Sequence, residues 1–257
     1  MNSGNFNGLR ILELLENHRS IRKFQDKVIP DEEIKKIISA AQTASSSSNG
    51  QAYSIINITN QQTREKLMGY AGGQRHILDC SHFFVFCADL HRIENIAKLS
   101  NVDMTESLES TEMFIIATVD AALFAQNTAI AAEALGYGIV YTGGIRNSPE
   151  LVTEILHLPT RTYPVFGMCI GYPDNNDIPG KKPRLPIESL FFENEYIHFE
   201  ETIEYIDEYD QTMKDYYANR EQNKSKRNWS ETITDKRKVP RRLNMKSFLN
   251  DQKFLLK

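Results

Sequence analysis

The order of apolar and polar segments along this 257-residue chain predicts an α+β or mixed α/β fold built as one domain. Three observations carry that expectation. The runs 82–88 and 165–171 are apolar without alternation, as strands buried on both faces are. The stretch 114–135 is rich in Ala and apolar around most of a helical circumference, so it must bury itself in a core or against another chain. No fixed-period repeat and no linker breaks the chain, which excludes a solenoid.

Leu9, Leu12 and Leu15 form a helical stripe that ends before Asn17. Pro30-Asp31-Glu32-Glu33 starts a second helix, with Asp31 able to cap and the acids suited to the positive end of the dipole. Ile34, Ile37, Ile38 and Ala41 give it one buried face. It dissolves into 44–50, where Ser and Asn side chains compete for backbone hydrogen bonds. A strand over 53–59, a short helix over 61–68 and a turn at Gly72-Gly73 follow. After the strand 82–88, residues 95–110 show little pattern and read as a mobile insertion or lid. The long helix stops at Gly136 and Gly138. A brief strand 139–142, a helix 149–158, the strand 165–171 and a proline-containing loop 174–186 come next. A polar amphipathic helix 200–219 leads into a tail with Trp229, Pro240 and a last helical patch around Phe248.

The net charge of -4 speaks against general nucleic-acid affinity, although residues 220–257 hold 12 Lys/Arg against 4 Asp/Glu. Such a basic tail leaves one remote alternative open, a nucleic-acid-binding or adaptor protein. Three cysteines, an odd number without CxxC spacing, suit a reducing compartment. His76 and Cys80 share a possible helical face, but two groups do not make a metal site, and none is expected. Segment 9–15 is interrupted by Arg10 and Glu13, so it is not a secretory signal. Segment 114–135 contains Asp120, Gln126, Asn127 and Glu133, which are costly in lipid. A cytoplasmic protein without membrane or nucleic-acid partners is expected.

His18-Arg19-Ser20-Ile21-Arg22-Lys23-Phe24 is the chemically densest stretch, one imidazole, three cations and a hydroxyl, a set that suits an anion such as phosphate. By itself it equally describes a solvated basic face. Gly136-Tyr137-Gly138 lacks the third glycine of a dinucleotide fingerprint and follows a helix rather than a strand, so Gly138 reads as a helix terminator. Gly180-Lys181-Lys182 lacks the Ser or Thr of a P-loop. The serines 45–48 offer hydroxyl donors. Tyr141-Thr142-Gly143-Gly144-Ile145-Arg146 offers close backbone approach to a flat ligand beside a cation. Lys182-Pro183-Arg184-Leu185-Pro186 is a stiff, doubly basic loop.

In that order and spacing these fragments, with Gly72-Gly73-Gln74, the stretch 209–220 and Trp229, resemble the flavin-dependent nitroreductase family over nearly the whole chain. The similarity is to its larger branch of oxygen-insensitive NADPH nitroreductases and NADPH–flavin oxidoreductases. The resemblance implies a mixed, mainly antiparallel sheet flanked by helices, in a single domain 1–257. Its C-terminal extension, 200–257, would embrace a partner subunit in a homodimer, with helix 114–135 at the interface. It implies bound FMN, with His18, Arg19, Ser20 and Arg22 at the phosphate and ribityl chain. Ser46, Ser48, Gln51 and Gln74 would meet polar edges, Tyr141, Gly143 and Gly144 would present backbone, and Lys182 and Arg184 would add cations. NADPH is the implied co-substrate, with Arg220 and Arg146 toward it. No residue acts as a nucleophile. The implied activity is ping-pong hydride transfer to nitroaromatics, quinones or flavins, or alternatively supply of reduced flavin to a partner enzyme. Two departures stand out. Ser225 occupies a position where relatives can carry Arg, and Asn49-Gly50 stands where they often place a bulky apolar residue.

Overall fold

A computed structural model describes residues 8–220, 223–254 and 256–257, with side chains described from Arg10 onward. The side chain of Leu9 in the first stripe lies outside the described residues. The chain separates into two compact units, Met1–Pro179 with Arg242–Lys257, and Gly180–Arg241.

In chain order the first unit contains α1 (Gly8–Glu16), α2 (Asp31–Ala41), β1 (Tyr53–Ile58), α3 (Gln61–Tyr70), α4 (His76–Asp79) and β2 (His82–Asp89). It continues through α5 (His91–Leu99), α6 (Thr105–Leu108), α7 (Thr111–Ala134), β3 (Gly138–Thr142), α8 (Pro149–Ile155) and β4 (Thr162–Gly171). The second unit holds α9 (Ile203–Asn219) and α10 (Trp229–Arg237), and the chain then returns to the first unit with α11 (Met245–Asp251).

Among the described residues four strands form one sheet in the order β1-β2-β4-β3, antiparallel at every junction. Parallel pairing among the described residues is confined to the bridge Ser20–Ile139. The continuous apolar run of β2 serves two cores at once, because successive side chains point to opposite faces. Phe84, Phe86 and Ala88 pack with α2 and α7, while Phe83, Val85 and Cys87 pack with Leu67 of α3, Ile77 of α4 and Val152 of α8. Each fully buried Phe contributes about 2 kcal/mol of transfer free energy.

α7 is the long spine. Ser110 caps it by accepting from the Met113 N–H at 3.2 Å. It ends in a Schellman motif: Gly136 takes φ 84°, and the Tyr137 N–H reaches the Ala132 carbonyl. Phe124 stacks on Tyr53 with ring centroids 4.4 Å apart. By length and composition α7 could cross a membrane, yet its face with Ala117, Asp120, Ala121, Thr128 and Ala129 is enclosed by the protein's own core. Its expected all-round burial is not met within the chain, since Ile115, Val119 and Leu123, at spacing i, i+4, i+8, stay about half-exposed.

Several local expectations need correction. Asp31 is the first helical residue of α2, and the cap position is Pro30, so Asp31 contributes charge at the dipole rather than a capping bond. Residues 95–110 are not a patternless insertion. α5 and α6 fill them, joined by a turn through Asn101 at φ 54°, with Ala97 and Leu108 buried. α8 stops three residues early because His157 adopts φ 51° and closes a Schellman turn without a glycine to announce it. Gly138 is not a helix terminator. Gly136 has that task, and Gly138 opens β3.

The second unit has a small core of Tyr209, Met213 and Tyr217, against which Leu185, Tyr216 and Trp229 pack. Asn228 and Glu231 close a capping box at the start of α10. Phe248, Leu249 and Phe254 at the end of the chain belong to the main core of the first unit.

Candidate functional site

The basic septet is seated by its two apolar residues, Ile21 and Phe24, the latter bridged to Pro173 and packed against the core. Ile21 is buried, its N–H donates to the Ile139 carbonyl at 2.8 Å, and Ser20 bridges to Ile139. A Cβ on Gly138 would lie 2.7 to 2.9 Å from three atoms of the Ile21 side chain, so only glycine lets the septet lie this close to β3. Arg22 and Lys23 then face outward. Arg22 is exposed and donates to the Ser20 carbonyl at 3.3 Å, and Arg19 donates to the Asn17 carbonyl at 3.2 Å. His18 Nδ1 pairs with Glu133 Oε1 of α7 at 2.7 Å. Burial pushes the Glu133 carboxyl up, while His18 and Arg19 pull it back.

The serine-rich loop is held differently. Asp120, only 2% exposed, accepts from the Ser47 N–H at 3.0 Å and from the Ala52 N–H at 3.1 Å. Between these points Ser48, Asn49 and Gln51 take φ of 49°, 55° and 47°, the left-handed region that non-glycine residues avoid. Ser46 Oγ accepts from the Gln51 N–H, the Gln51 side chain turns back on Asn49, and Arg92 donates to the Gln51 carbonyl at 3.0 Å. Asp120 and Glu133 are thirteen positions apart on one helix, about 20 Å along its axis. The same helix therefore holds both segments.

At the far end of β3, Gln74 Nε2 donates to the Ala71 carbonyl at 3.0 Å. Both atoms press on Gly144, where a Cβ would meet them at 2.3 and 2.4 Å. The Gly72-Gly73 turn has φ of 84° and 77°. At Gly143, next to Gly144 in the chain, opens a cleft of about 520 Å3 lined by Val119, Ala122, Leu123, Gln126, Tyr141, Gly143, Arg146 and Phe166. Tyr141 stands edge-on to Phe166 and donates to Gln126 Oε1 at 3.2 Å, and burial raises its phenol well above the usual value. Arg146 donates to the Val165 carbonyl, and burial lowers its guanidinium from the ordinary arginine value. Ile139 and Gly143 are four residues apart, about 13 Å of extended strand. The cationic septet thus meets the start of β3 and an apolar, glycine-opened cleft lies at its end.

Lys182, Arg184 and Arg220 belong to the second unit. There Lys182 Nζ lies 5.9 Å and Arg220 Cζ 4.6 Å from the centroid of the Tyr217 ring, so two cations gather on one aromatic side chain. Arg184 is close enough to Tyr209 to oppose the rise that burial imposes on its phenol, and Tyr209 donates to the Pro183 carbonyl at 3.0 Å.

Sequence reasoning missed Asp120, Glu133 and Arg92 as supports. The signal was there for two of them: Asp120 and Glu133 were exceptions in an apolar helix.

The sheet and its helices define an α+β protein shared with solved structures of bacterial oxidoreductases. B. megaterium NfrA1 is 41% identical with a TM-score of 0.92, covering 96% of this chain and 99% of that one. The NADPH:FMN oxidoreductase from Vibrio harveyi, solved with NAD+, is 38% identical with a TM-score of 0.85, covering 96% and 99%. The FMN reductase (NADPH) of Bacillus subtilis is 41% identical over 244 residues, 95% of this chain and 97% of that protein. Residues 15–172 match the Nitroreductase family and residues 182–257 the Nitroreductase family, C-terminal domain. The chain belongs to the nitroreductase family.

Proposed function

We infer that the protein is an FMN-dependent NADPH oxidoreductase that passes two electrons in ping-pong fashion to nitroaromatics, quinones or flavins. The single observation that carries this reading is the pairing along β3 of an outward-facing cationic septet with an apolar, glycine-opened cleft. That donor set fits FMN, which has an anionic end and a flat end. Arg and Ser groups suit the phosphate, and backbone beside Gly143 can approach a ring closely.

FMN, when bound, supplies the hydride and two-electron chemistry, and the protein tunes it. His18, Arg19, Ser20 and Arg22 contact the phosphate and ribityl chain, the arginines supplying charge and Ser20 a hydroxyl donor. Ser46, Ser48, Gln51 and Gln74 orient polar edges by hydrogen bonding. Tyr141, Gly143 and Gly144 shape the wall, and the apolar lining from α7 excludes water. Lys182 and Arg184 are assigned to the cofactor, and Arg220 and Arg146 to NADPH, by their places in the family pattern. Lys182 or Arg184 would stabilise the negative charge that builds up on reduction. No side chain bonds covalently to a substrate.

The test is direct. Purified protein should be yellow and should bleach with NADPH under anaerobic conditions. Colourless protein that takes up no added FMN would falsify the reading.

A second reading is favoured by the relatives that are named FMN reductase (NADPH) and NADPH:FMN oxidoreductase: delivery of reduced flavin to another enzyme. Good turnover of nitrofurazone with poor turnover of free FMN excludes it as the main role. We also propose a cytoplasmic homodimer. The open stripe Ile115, Val119 and Leu123 on α7 and the exposed Ile11, Leu12 and Leu15 on α1 support a second copy as the cover. Light scattering on a sizing column that returns about 59 kDa, twice the chain mass of 29.5 kDa, is the expected result.

A further inference from the structure

Resting on the flavin reading above, we propose that Asp120 is a positioning residue for the cofactor. Its buried carboxylate clamps both ends of the loop that carries Ser46, Ser48 and Gln51, and so holds their donors in place before the ligand arrives.

A charged group enclosed in an apolar helix face is costly, and it persists only where its partners require it. Here the partners are two backbone N–H groups, of Ser47 and Ala52, each taken by a different oxygen of one carboxylate. The loop between them does not follow local preference. Ser48, Asn49 and Gln51 are left-handed, while Gly50, the residue best suited to that region, sits at φ -72°. Internal bonds from Asn49 N–H to the Ser46 carbonyl and from Gly50 N–H to the Ser47 carbonyl tighten the turn, but they do not tie it to the fold. Asp120 makes that tie from α7, and Arg92 adds a donor from outside.

The chemistry singles out a carboxylate. Two converging N–H donors need two acceptors. An amide at 120 would offer one oxygen and turn its NH2 against the other N–H. Asp120→Asn therefore changes shape little and opens one side of the clamp.

Full-length protein stripped of flavin is titrated with FMN and with riboflavin, for wild type, Asp120→Asn and Arg22→Ala. Loss of a charge-assisted bond at the clamp should weaken FMN and riboflavin alike, by about tenfold to hundredfold. Arg22→Ala should weaken FMN and leave riboflavin unchanged, since riboflavin has no phosphate. The visible circular dichroism of bound flavin should also change in Asp120→Asn, which a role in stability alone would not produce. A variant that melts earlier yet binds both flavins as wild type does overturns the inference, as does weakening of FMN alone. Wild-type protein that takes up neither flavin overturns the functional reading and the inference together, so the two failures are distinguishable. If Asp120→Asn does not fold, hydrogen exchange in wild type decides. Protection of the Ser47 and Ala52 amides comparable to that of α7 supports the clamp, and free exchange there overturns it.

Discussion

Segment 18–24 and loop 45–52 are assigned to one cofactor but are held in opposite ways. The first is extended backbone, pinned by buried Ile21, by Phe24 against the core, and by backbone hydrogen bonds from the Ile21 N–H to Ile139 and from the Asp174 N–H to the Lys23 carbonyl, with Arg22 and Lys23 turned outward. The second carries neutral donors on left-handed backbone, pinned by a charge turned inward. Both are fastened to α7, through Glu133 and Asp120. A phosphate needs charge, which tolerates loose geometry, so the septet can sit on relaxed backbone. Ring and ribityl edges need directed hydrogen bonds, which reward a fixed loop even at the cost of unfavourable φ.

Gly138→Ala should break the septet side hardest. The added Cβ meets the branched part of Ile21 at 2.7 Å, and the clash should cost about 1–3 kcal/mol of stability and lift the septet from β3. Urea denaturation of the single variant and of Gly138→Ala with Ile21→Ala checks this. The double variant should recover part of the loss that simple addition of the two effects would predict, and strict additivity sinks the close-approach explanation.

Arg22→Ala comes next. It should weaken FMN retention by roughly tenfold or more while leaving the rate of FMN-saturated enzyme unchanged. Retention at the wild-type level would remove the phosphate assignment.

A smaller effect lies behind the septet. Burial, and then the charge of Arg22, holds the His76 imidazole below its usual value of 6.5, with Asp79 opposing. The folded state thus resists protonation there. The contribution to stability is present above pH 6.5 and is lost as pH falls through the depressed folded value. In Arg22→Ala the His76 midpoint followed by NMR should rise, and an unmoved midpoint would separate the septet from this interior histidine.

The smallest change is expected from Ser48→Gly. Glycine accepts φ 49° freely but widens the unfolded ensemble, so stability should move by no more than about 1 kcal/mol. A larger loss on chemical denaturation would mean that the Ser48 side chain, not the backbone, matters to the fold.

Much of this molecule was legible as text. The alternation-free strands β2 and β4, the spine α7, the turn at Gly72-Gly73 and the ordered basic and glycine-bearing fragments were readable because each is a local pattern. α6 was not, since a four-residue helix is too short to show a period, whereas α5, with Ile93 and Ala97 four positions apart and Ile96 beside them, carries an apolar stripe that was passed over. Gly138 was misread because its need for glycine comes from Ile21, 117 positions away. Asp120 looked like an obstacle to membrane insertion, and nothing near it in the chain points to Ser47 or Ala52.

By itself the amino-acid sequence determined the α+β class, the strands and spine helix, the chemical kind of each basic, serine-rich or glycine-bearing fragment, and the family. Those follow from periodicity, composition and ordered motifs, which act over a few residues at a time. Only the tertiary structure decided how the fragments are held: the close seat of Ile21 on β3, the left-handed loop, and the two carboxylates of α7 about 20 Å apart that fasten both. Such features depend on contacts between residues distant in the chain, and the free energy of those contacts exists only once the core has closed.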